Sequence, residues 1–183
     1  MGEVKRHTLS ALVDNEAGVL SQVSRLFSRK GFNIESLAVG TTDSPLVSRI
    51  TIEVLADAHQ ADLLANQLRK LLPVHSVKLL APEQSIRREL VLIKVMAVSR
   101  EIRNEVIQIA NIFRGSIIDV SKGTLTVALI GEESKTDAIQ TLLEEFGIVE
   151  LVRTGMVALE RGKYTINEDT KEKGEFNYGK NVL

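Results

Sequence analysis

The side chains best suited to chemistry are few in this chain, and their spacing does not bring them together. The three histidines, His7, His59 and His75, form no i, i+4 pair and have no third ligand at a metal-binding distance in sequence. His59 and His75 fall beside predicted helix ends, where a solvated imidazole is expected. Cysteine is absent, which excludes thiolate zinc sites, iron–sulfur clusters and cysteine nucleophiles and fits a reducing compartment. There is no Gly-x-Ser-x-Gly elbow, no Gly-x-x-x-x-Gly-Lys phosphate loop and no dinucleotide fingerprint. Glu132-Glu133 and Glu144-Glu145 are neighbours on predicted helices. Adjacent helical residues point about 100° apart, so these pairs read as solvated faces rather than acid–base dyads. No catalytic residue, metal ligand or resident cofactor is expected. The reading is of a chain that binds rather than reacts.

One turn stands out. Asp14-Asn15-Glu16-Ala17-Gly18-Val19-Leu20 places a small polar residue and a glycine between a strand and a helix start. The first backbone N–H groups of a helix have no intrahelical partner, and the helix dipole adds partial positive charge there. A carboxylate suits that environment as a phosphate does. Gly18 allows close approach of the backbone to a ligand. Asn15 can donate and accept, which suits a zwitterion. A plainer reading of the same residues is that Asp14 or Asn15 caps the helix and Gly18 eases the turn. Pattern alone leaves both open.

The elements that position this turn follow from periodicity. His7 to Val13 reads as a strand with Leu9, Ala11 and Val13 on one face. From Gly18 the period becomes helical, with Val19, Leu20, Val23, Leu26 and Phe27 in one stripe, and Gly31 is placed to stop it. A strand over Asn33 to Thr41, a turn at Thr42-Asp43-Ser44-Pro45 and a strand over Val47 to Leu55 come next. In that last strand Ile50, Ile52 and Val54 face one way and Arg49, Thr51 and Glu53 the other. A helix from Ala58 to Leu72 turns Ala61, Leu64, Leu68 and Leu71 inward. Pro73 ends it, and Val74 to Leu80 is a short strand. After a candidate linker at 81–89 the order recurs: strand Leu90 to Val98 covered on both faces, helix Glu101 to Arg114, hairpin strands Ser116 to Ser121 and Thr124 to Ile130, helix Ser134 to Phe146, strand Ile148 to Leu159. Helix Glu101 to Arg114 turns Ile102, Val106, Ile109, Ala110 and Phe113 inward. Leu26-Phe27-Ser28-Arg29-Lys30-Gly31-Phe32-Asn33-Ile34 is echoed by Ile112-Phe113-Arg114-Gly115-Ser116-Ile117-Ile118. The fold expected is α+β: two split β-α-β units in tandem, each a four-stranded antiparallel sheet with two helices on one face. From Glu160 onward the hydrophobic period disappears and a mobile tail is expected, with Phe176 and Tyr178 as a possible short docking motif.

Composition narrows the partners. With 23 Lys+Arg against 24 Asp+Glu in 183 residues, no global field attracts nucleic acid or an anionic membrane. Aromatic residues make up 4% and Trp is absent, so stacking platforms for bases are not expected. RNA-recognition modules share the βαββαβ order but use exposed aromatics on central strands, where this chain has Val, Ile, Ser and Thr. An acylphosphatase-like enzyme would want a phosphate-cradling arginine where Asp14 and Glu16 stand. The polar Met1–His7 start and the lack of a long apolar run lead to the expectation of a cytoplasmic protein without a membrane span. A free-standing amino-acid sensor remains a rival. Nothing resembles a DNA-reading helix-turn-helix.

The wording of the turn carries more than its period. Leu12-Val13-Asp14-Asn15-Glu16-Ala17-Gly18-Val19-Leu20, then Arg25-Leu26-Phe27-Ser28-Arg29-Lys30-Gly31-Phe32-Asn33-Ile34-Glu35-Ser36-Leu37 and Leu46-Val47-Ser48-Arg49-Ile50-Thr51-Ile52, closely resemble the ACT domain of acetohydroxyacid synthase (acetolactate synthase) regulatory small subunits. Arg88-Glu89-Leu90-Val91-Leu92-Ile93-Lys94-Val95, Ile112-Phe113-Arg114-Gly115-Ser116-Ile117-Ile118-Asp119-Val120 and Arg153-Thr154-Gly155-Met156-Val157-Ala158-Leu159 look like that family's C-terminal domain. The resemblance runs from about His7 to Gly162. It implies two tandem ferredoxin-like domains: an ACT domain over 1–80 for effector binding and dimerisation, a linker over 81–89, a C-terminal domain over 90–160 and a flexible tail over 161–183. It also implies a non-catalytic regulatory subunit that activates a catalytic large subunit and confers feedback inhibition by a branched-chain amino acid, usually valine. Thiamine diphosphate, magnesium and FAD would belong to that partner. The effector would lie where two ACT domains pair in a homodimer. Asn15, Gly18, Val19 and Leu20 of one protomer would hold its polar end, and Asn33 and Ile34 of the other would close the site. Val19, Leu20 and Ile34 would line a slot for the isopropyl group.

Overall fold

The computed structural model describes residues 2–166, which fall into two compact units. Among the described residues, unit 1 comprises the chain up to Ser85 together with Leu159 to Ile166, and unit 2 runs from Ile86 to Ala158. Unit 1 contains β1 (Lys5–Asp14), α1 (Val19–Lys30), β2 (Ser36–Thr41), β3 (Val47–Ala56), α2 (Ala58–Leu68) and β4 (Val74–Leu80). Its sheet has the order β2-β3-β1-β4, with every neighbouring pair antiparallel. Unit 2 repeats the plan with β5 (Ser85–Met96), α3 (Arg100–Ile112), β6 (Ser116–Val120), β7 (Thr124–Gly131), α4 (Glu133–Glu144) and β8 (Ile148–Arg153), in the order β6-β7-β5-β8. A short strand β9 (Val157–Glu160) adds to it by pairing with β5. The expected α+β architecture of tandem ferredoxin-like βαββαβ units stands.

The repeat extends to irregularities. In unit 1 the β1–β4 register shifts so that Leu12 faces Ser76 while Val13 faces Val74, leaving His75 as an extra, bulged residue. In unit 2 the β5–β8 register shifts between Lys94↔Glu150 and Val95↔Ile148, leaving Val149 in the same role. A bulge turns its side chain out of the strand's alternation, and for His75 that has a consequence described below.

Each unit has its own aliphatic core between sheet and helices. In unit 1, Leu9, Ala11 and Val13 of β1 and Ile50, Ile52 and Val54 of β3 meet Val19, Val23, Leu26 and Phe27 of α1 and Ala61, Leu64 and Leu68 of α2. In unit 2, Val91, Ile93 and Val95 meet Val106, Ala110, Ile139 and Leu143. Helix α1 ends where the sequence placed its stop. Gly31 takes φ 73, and the Phe32 N–H reaches back to the Phe27 carbonyl at 3.1 Å. Gly31→Ala meets no atom within 4 Å, so its cost is the left-handed backbone alone, about 1–2 kcal/mol. The thermal midpoint of unit 1 in this variant is expected to fall by roughly 4–8 °C per kcal/mol lost.

Several expectations need correction. The 81–89 linker is structured: Pro82–Gln84 forms a 3-10 turn and β5 begins at Ser85, whose hydroxyl donates to the Ala81 carbonyl at 2.8 Å. The single last strand is two, because Thr154 clamps the chain in a turn. Its N–H donates to Leu90 O, and its Oγ1 accepts from Leu90 N–H, both at 3.1 Å. The tail does not begin at 160 or 161. Glu160 pairs with Lys78 at 2.8 Å, Arg161 N–H donates to Gln84 O at 2.8 Å, and Ile166 is buried. Phe176 and Tyr178 lie outside the described residues. Helix α2 stops at Leu68 rather than Leu72 and finishes in tight turns, Lys70 N–H to Gln67 O and Leu71 N–H to Leu68 O. Strand β2 starts at Ser36 rather than Asn33. On the second face of the unit 1 sheet, Thr8, Ser10, Thr51, Glu53 and Ser76 are buried. Strand β5 is fully covered on one face only, since Leu90, Leu92 and Lys94 are half-buried.

Candidate functional site

The β1–α1 turn is held from both flanks by atoms of its own unit. On the β3 side, the Asn15 N–H donates to Leu46 O at 2.8 Å and its Nδ2 donates to Pro45 O at 2.9 Å. Its Oδ1 accepts from the Ser48 hydroxyl at 3.1 Å. On the β4 side, the Asp14 N–H donates to Pro73 O at 2.8 Å, and Asp14 Oδ1 meets His75 Nε2 at 2.7 Å. The bulge in β4 is what turns the imidazole towards the turn. His75 is therefore not the solvated side chain its position beside a helix end suggested; it is only 12% exposed.

These ties settle the capping question. Neither Asp14 nor Asn15 caps α1, because both side chains are bonded elsewhere. The N-cap is Gly18 at φ 88 and ψ −12, no side chain accepts from the first turn, and that turn contains no acidic residue. The Val19 N–H has only a long contact to Glu16 O, 3.4 Å, and the bonded ladder begins with Gln22 N–H to Gly18 O at 3.1 Å. The start of α1 is thus a set of backbone donors at the positive end of a helix dipole, beside a residue without a side chain.

The matching position in unit 2 is closed. Ser99 caps α3, its Oγ accepting from Ile102 N–H at 3.2 Å. Glu101 sits in the first turn, where its own backbone N–H and the Ser99 hydroxyl hold its carboxyl below the usual glutamate range. Arg103 clamps the approach by donating to Ala97 O at 2.9 Å and Ser121 O at 2.7 Å. One fold thus presents two helix starts, one supplied with its own anion and cap and one left bare.

The sequence-derived residues are divided by α1. Asn15 and Gly18 are exposed at its start, and Leu20 is 43% exposed rather than part of the core stripe. Val19 is buried in the unit 1 core at 5% exposure, so its side chain packs inward rather than lining the slot for an isopropyl group expected of it. Asn33 is exposed just beyond the far end of α1 and donates to Glu35 Oε1 at 2.8 Å, while Ile34 is half-buried against the core. A helix of 12 residues is about 18 Å long at 1.5 Å per residue. One amino acid, whose backbone spans about 3.5 Å, cannot touch both groups within one protomer. A cleft of about 520 Å3 does open in unit 1, beside Thr41, Thr42, Ser44, Arg49 and His75, and none of the sequence-derived residues lines it. Burial there lowers the Arg49 pKa from its ordinary value.

Sequence reasoning missed Pro45, Ser48 and His75 as supports of the turn. Nothing in their local pattern marks them, since each reaches it across 30 or more residues. Among the described residues no group of three or more His, Asp or Glu is placed to hold a metal ion, and no helix is long and apolar enough to cross a membrane.

Comparison with known proteins places this geometry. Residues 9–76 match the model described as AHAS small subunit-like ACT domain, and residues 88–162 match that of the small subunit of acetolactate synthase. A probable acetolactate synthase small subunit of Methanothermobacter thermautotrophicus is 45% identical over 164 residues, 90% of this chain and 98% of the relative. The acetolactate synthase small subunit of Mycobacterium bovis is 48% identical over 158 residues, 86% of this chain and 94% of the relative. The crystal structure of the acetolactate synthase small subunit from Thermotoga maritima superposes with a TM-score of 0.81 at 38% identity, over 87% of this chain and 99% of that one. With both units matched in order and nearly the full length of each relative covered, the chain belongs to the acetolactate synthase small-subunit family, its first unit an ACT domain.

Proposed function

We propose that this chain is the regulatory subunit of an acetolactate synthase, raising the activity of the catalytic large subunit and conferring feedback inhibition by a branched-chain amino acid, valine first among them. It performs no chemistry itself: catalysis, with thiamine diphosphate, magnesium and FAD, resides on the large subunit, and both work in the cytoplasm. The observation that carries the effector assignment is the bare start of α1, with Gly18 as N-cap, no side-chain cap and no acidic residue in the first turn. The capped and acid-bearing start of α3 marks it off within the same chain. An effector carboxylate accepts from the free N–H groups there and adds the negative charge the helix dipole favours.

The same reading makes the working unit a homodimer through the ACT domains. Among the described strands β2 is an edge strand that pairs with β3, and Ser36–Thr41 carries no charged residue to discourage pairing. Its register fixes what pairing would bring together. Thr41 faces Ser48, and Val47 faces Asp14, so the end of β2 lies at the same end of the sheet as the turn. Antiparallel pairing of two β2 edges sets the start of one copy's β2, with Asn33 and Ile34 just before it, beside the other copy's turn. That geometry supports a site in two halves, which the length of α1 requires if both groups touch one ligand.

Calorimetric titration of valine, leucine and isoleucine into the purified chain tests the proposal. Saturable binding with one effector or fewer per protomer is expected, weakest for an unbranched control such as alanine. Selectivity among the three should be shallow, because a methylene in an apolar slot is worth only about 1–3 kcal/mol. Failure of all three to bind, or absence of any effect on a catalytic large subunit mixed with the chain, would sink it.

A further inference from the structure

Taking the effector reading as its basis, we infer that Ser48 is a positioning residue of that site, acting through Asn15. An isolated asparagine at a turn can present its amide in many directions. Here two bonds leave it one. Pro45 supplies only a carbonyl, which accepts and cannot donate, so the nitrogen of the Asn15 amide must face it at 2.9 Å. The oxygen then faces β3, where the Ser48 hydroxyl donates to it at 3.1 Å. Ser48 is 6% exposed at the start of β3, opposite Val13 and Thr41, so the strand ladder fixes where its hydroxyl lies. The backbone bond from Asn15 N–H to Leu46 O completes a three-point tie.

The loop that provides two of those points is itself clipped. Thr42 Oγ1 accepts from Ser44 N–H at 3.2 Å, and its one proton faces Val47 O at 3.0 Å, with Ser44 O at 3.2 Å as the alternative acceptor. The tie therefore joins the turn to an ordered hairpin rather than to a loose one. An asparagine amide has two donors and two lone pairs. The tie uses one of each, and the remaining donor and lone pair are left aimed from a fixed plane. Asn15 thus meets the effector pre-oriented, and Ser48 supplies the orientation without touching the ligand. Its removal lets the amide rotate, and the effector must then order it on binding.

The test is a double-mutant cycle on valine affinity in the full-length chain, with Ser48→Ala, Asn15→Ala and the pair, and Ser48→Thr as the conservative variant. Ser48→Ala is expected to weaken valine binding about three- to tenfold, the size of one net neutral hydrogen bond. Ser48→Thr keeps the hydroxyl and should restore affinity. The pair should bind no more weakly than Asn15→Ala alone, because Ser48 acts only through the amide. Additive losses, or unchanged affinity in Ser48→Ala beside a weakened Asn15→Ala, overturn the inference while leaving the effector site standing. An unmutated chain that binds no branched-chain amino acid overturns the effector reading and this inference with it. Thermal unfolding of each variant separates the effect from general destabilisation, since affinity is measured well below the transition.

Discussion

Gly18→Asp is expected to abolish effector binding, weakening valine by about a hundredfold or more, while the protein stays folded and still activates its catalytic partner. The fold tolerates the change for three reasons. A Cβ at Gly18 meets nothing within 4 Å, so there is no clash. The backbone at φ 88 disfavours an L side chain by roughly 1–2 kcal/mol, but aspartate is among the residues that visit this region. A carboxylate at a helix start recovers about 0.3–1 kcal/mol from the dipole. Binding suffers for the same reason the fold does not. The aspartate carboxylate supplies the anion and side-chain acceptor that the Gly18 N-cap lacks, competes for the donors assigned to the effector and repels the effector's own carboxylate. Hydrogen bonds to a charged group contribute about 1.5–3 kcal/mol each, and 1.4 kcal/mol is tenfold in affinity, so losing two reaches about a hundredfold. Gly18→Ala separates the causes, since it carries the backbone strain without the competing charge and should retain measurable binding. Calorimetric titration with valine, and assay of the reconstituted synthase, give both readouts. Full valine inhibition in Gly18→Asp would remove the site from this turn.

Much of the fold was legible because its signals are local. Alternation in Leu9, Ala11 and Val13, the 3.6-residue stripe of Val23, Leu26 and Phe27, and the stop at Gly31 each follow from a short window of sequence, and all reappear in the core or at the helix end. The errors fall where a distant partner decides. Leu20 fits the α1 stripe by period but lies at its margin in the first turn, where the core no longer reaches it. The stretch 81–89 looks like a linker by composition, yet it runs into strand β5, which is paired from Glu89 onward with β7, Glu89 facing Gly131. Glu160 to Ile166 carries no hydrophobic period, and it is held by Lys78 and Gln84 rather than by its own pattern. The turn was legible as a place but not as a mechanism. Sequence shows that Asn15 has donors and acceptors; only the fold shows that Pro45 and Ser48 have already taken some of them.

The two units also show how one topology yields an uncapped helix start and a capped one. The choice rests on side chains at the helix start. Unit 2 spends Ser99 and Glu101 on its own donors, whereas unit 1 places Gly18 there and diverts Asp14 and Asn15 to neighbouring strands. Diverting them costs unit 1 a cap, a feature worth about 1 kcal/mol. On the proposed reading, an effector carboxylate would return that stabilisation on binding, and occupancy would favour whichever pairing geometry of the ACT domains holds it more tightly.

Unit 2 spends its polar residues on stability instead, and there the largest loss is expected from Arg153→Ala. The carboxyl of Glu89 is 6% exposed, on β5, and it is compensated by two groups: the Thr136 hydroxyl of α4 and the Arg153 guanidinium of β8 at 3.0 Å. Arg153 reaches further, to Asp137 at 2.6 Å and Gln140 at 2.7 Å, so one side chain joins β5, β8 and α4. Removing it leaves a buried carboxylate without its cation, a change that costs about 3–5 kcal/mol in comparable pairs. Urea unfolding monitored in unit 2 should show that loss, because the chain has two cores and need not unfold in one step. Removing both charges tells whether the pair itself stabilises. Glu89→Leu with Arg153→Met takes away the buried charge and its partner together, and such replacements are often neutral or stabilising. The Thr136 hydroxyl is not orphaned by the double change, since its one proton can turn to Glu133 O, 2.8 Å away. Asp137 and Gln140 lie near the surface, where water replaces the guanidinium. The double variant is therefore expected to recover most of what Arg153→Ala loses, with valine binding at unit 1 unchanged in both while they remain folded. A loss below about 1 kcal/mol in Arg153→Ala would place the network with exposed ion pairs, whose contribution is that small, and would move the weight of unit 2 onto its aliphatic core alone.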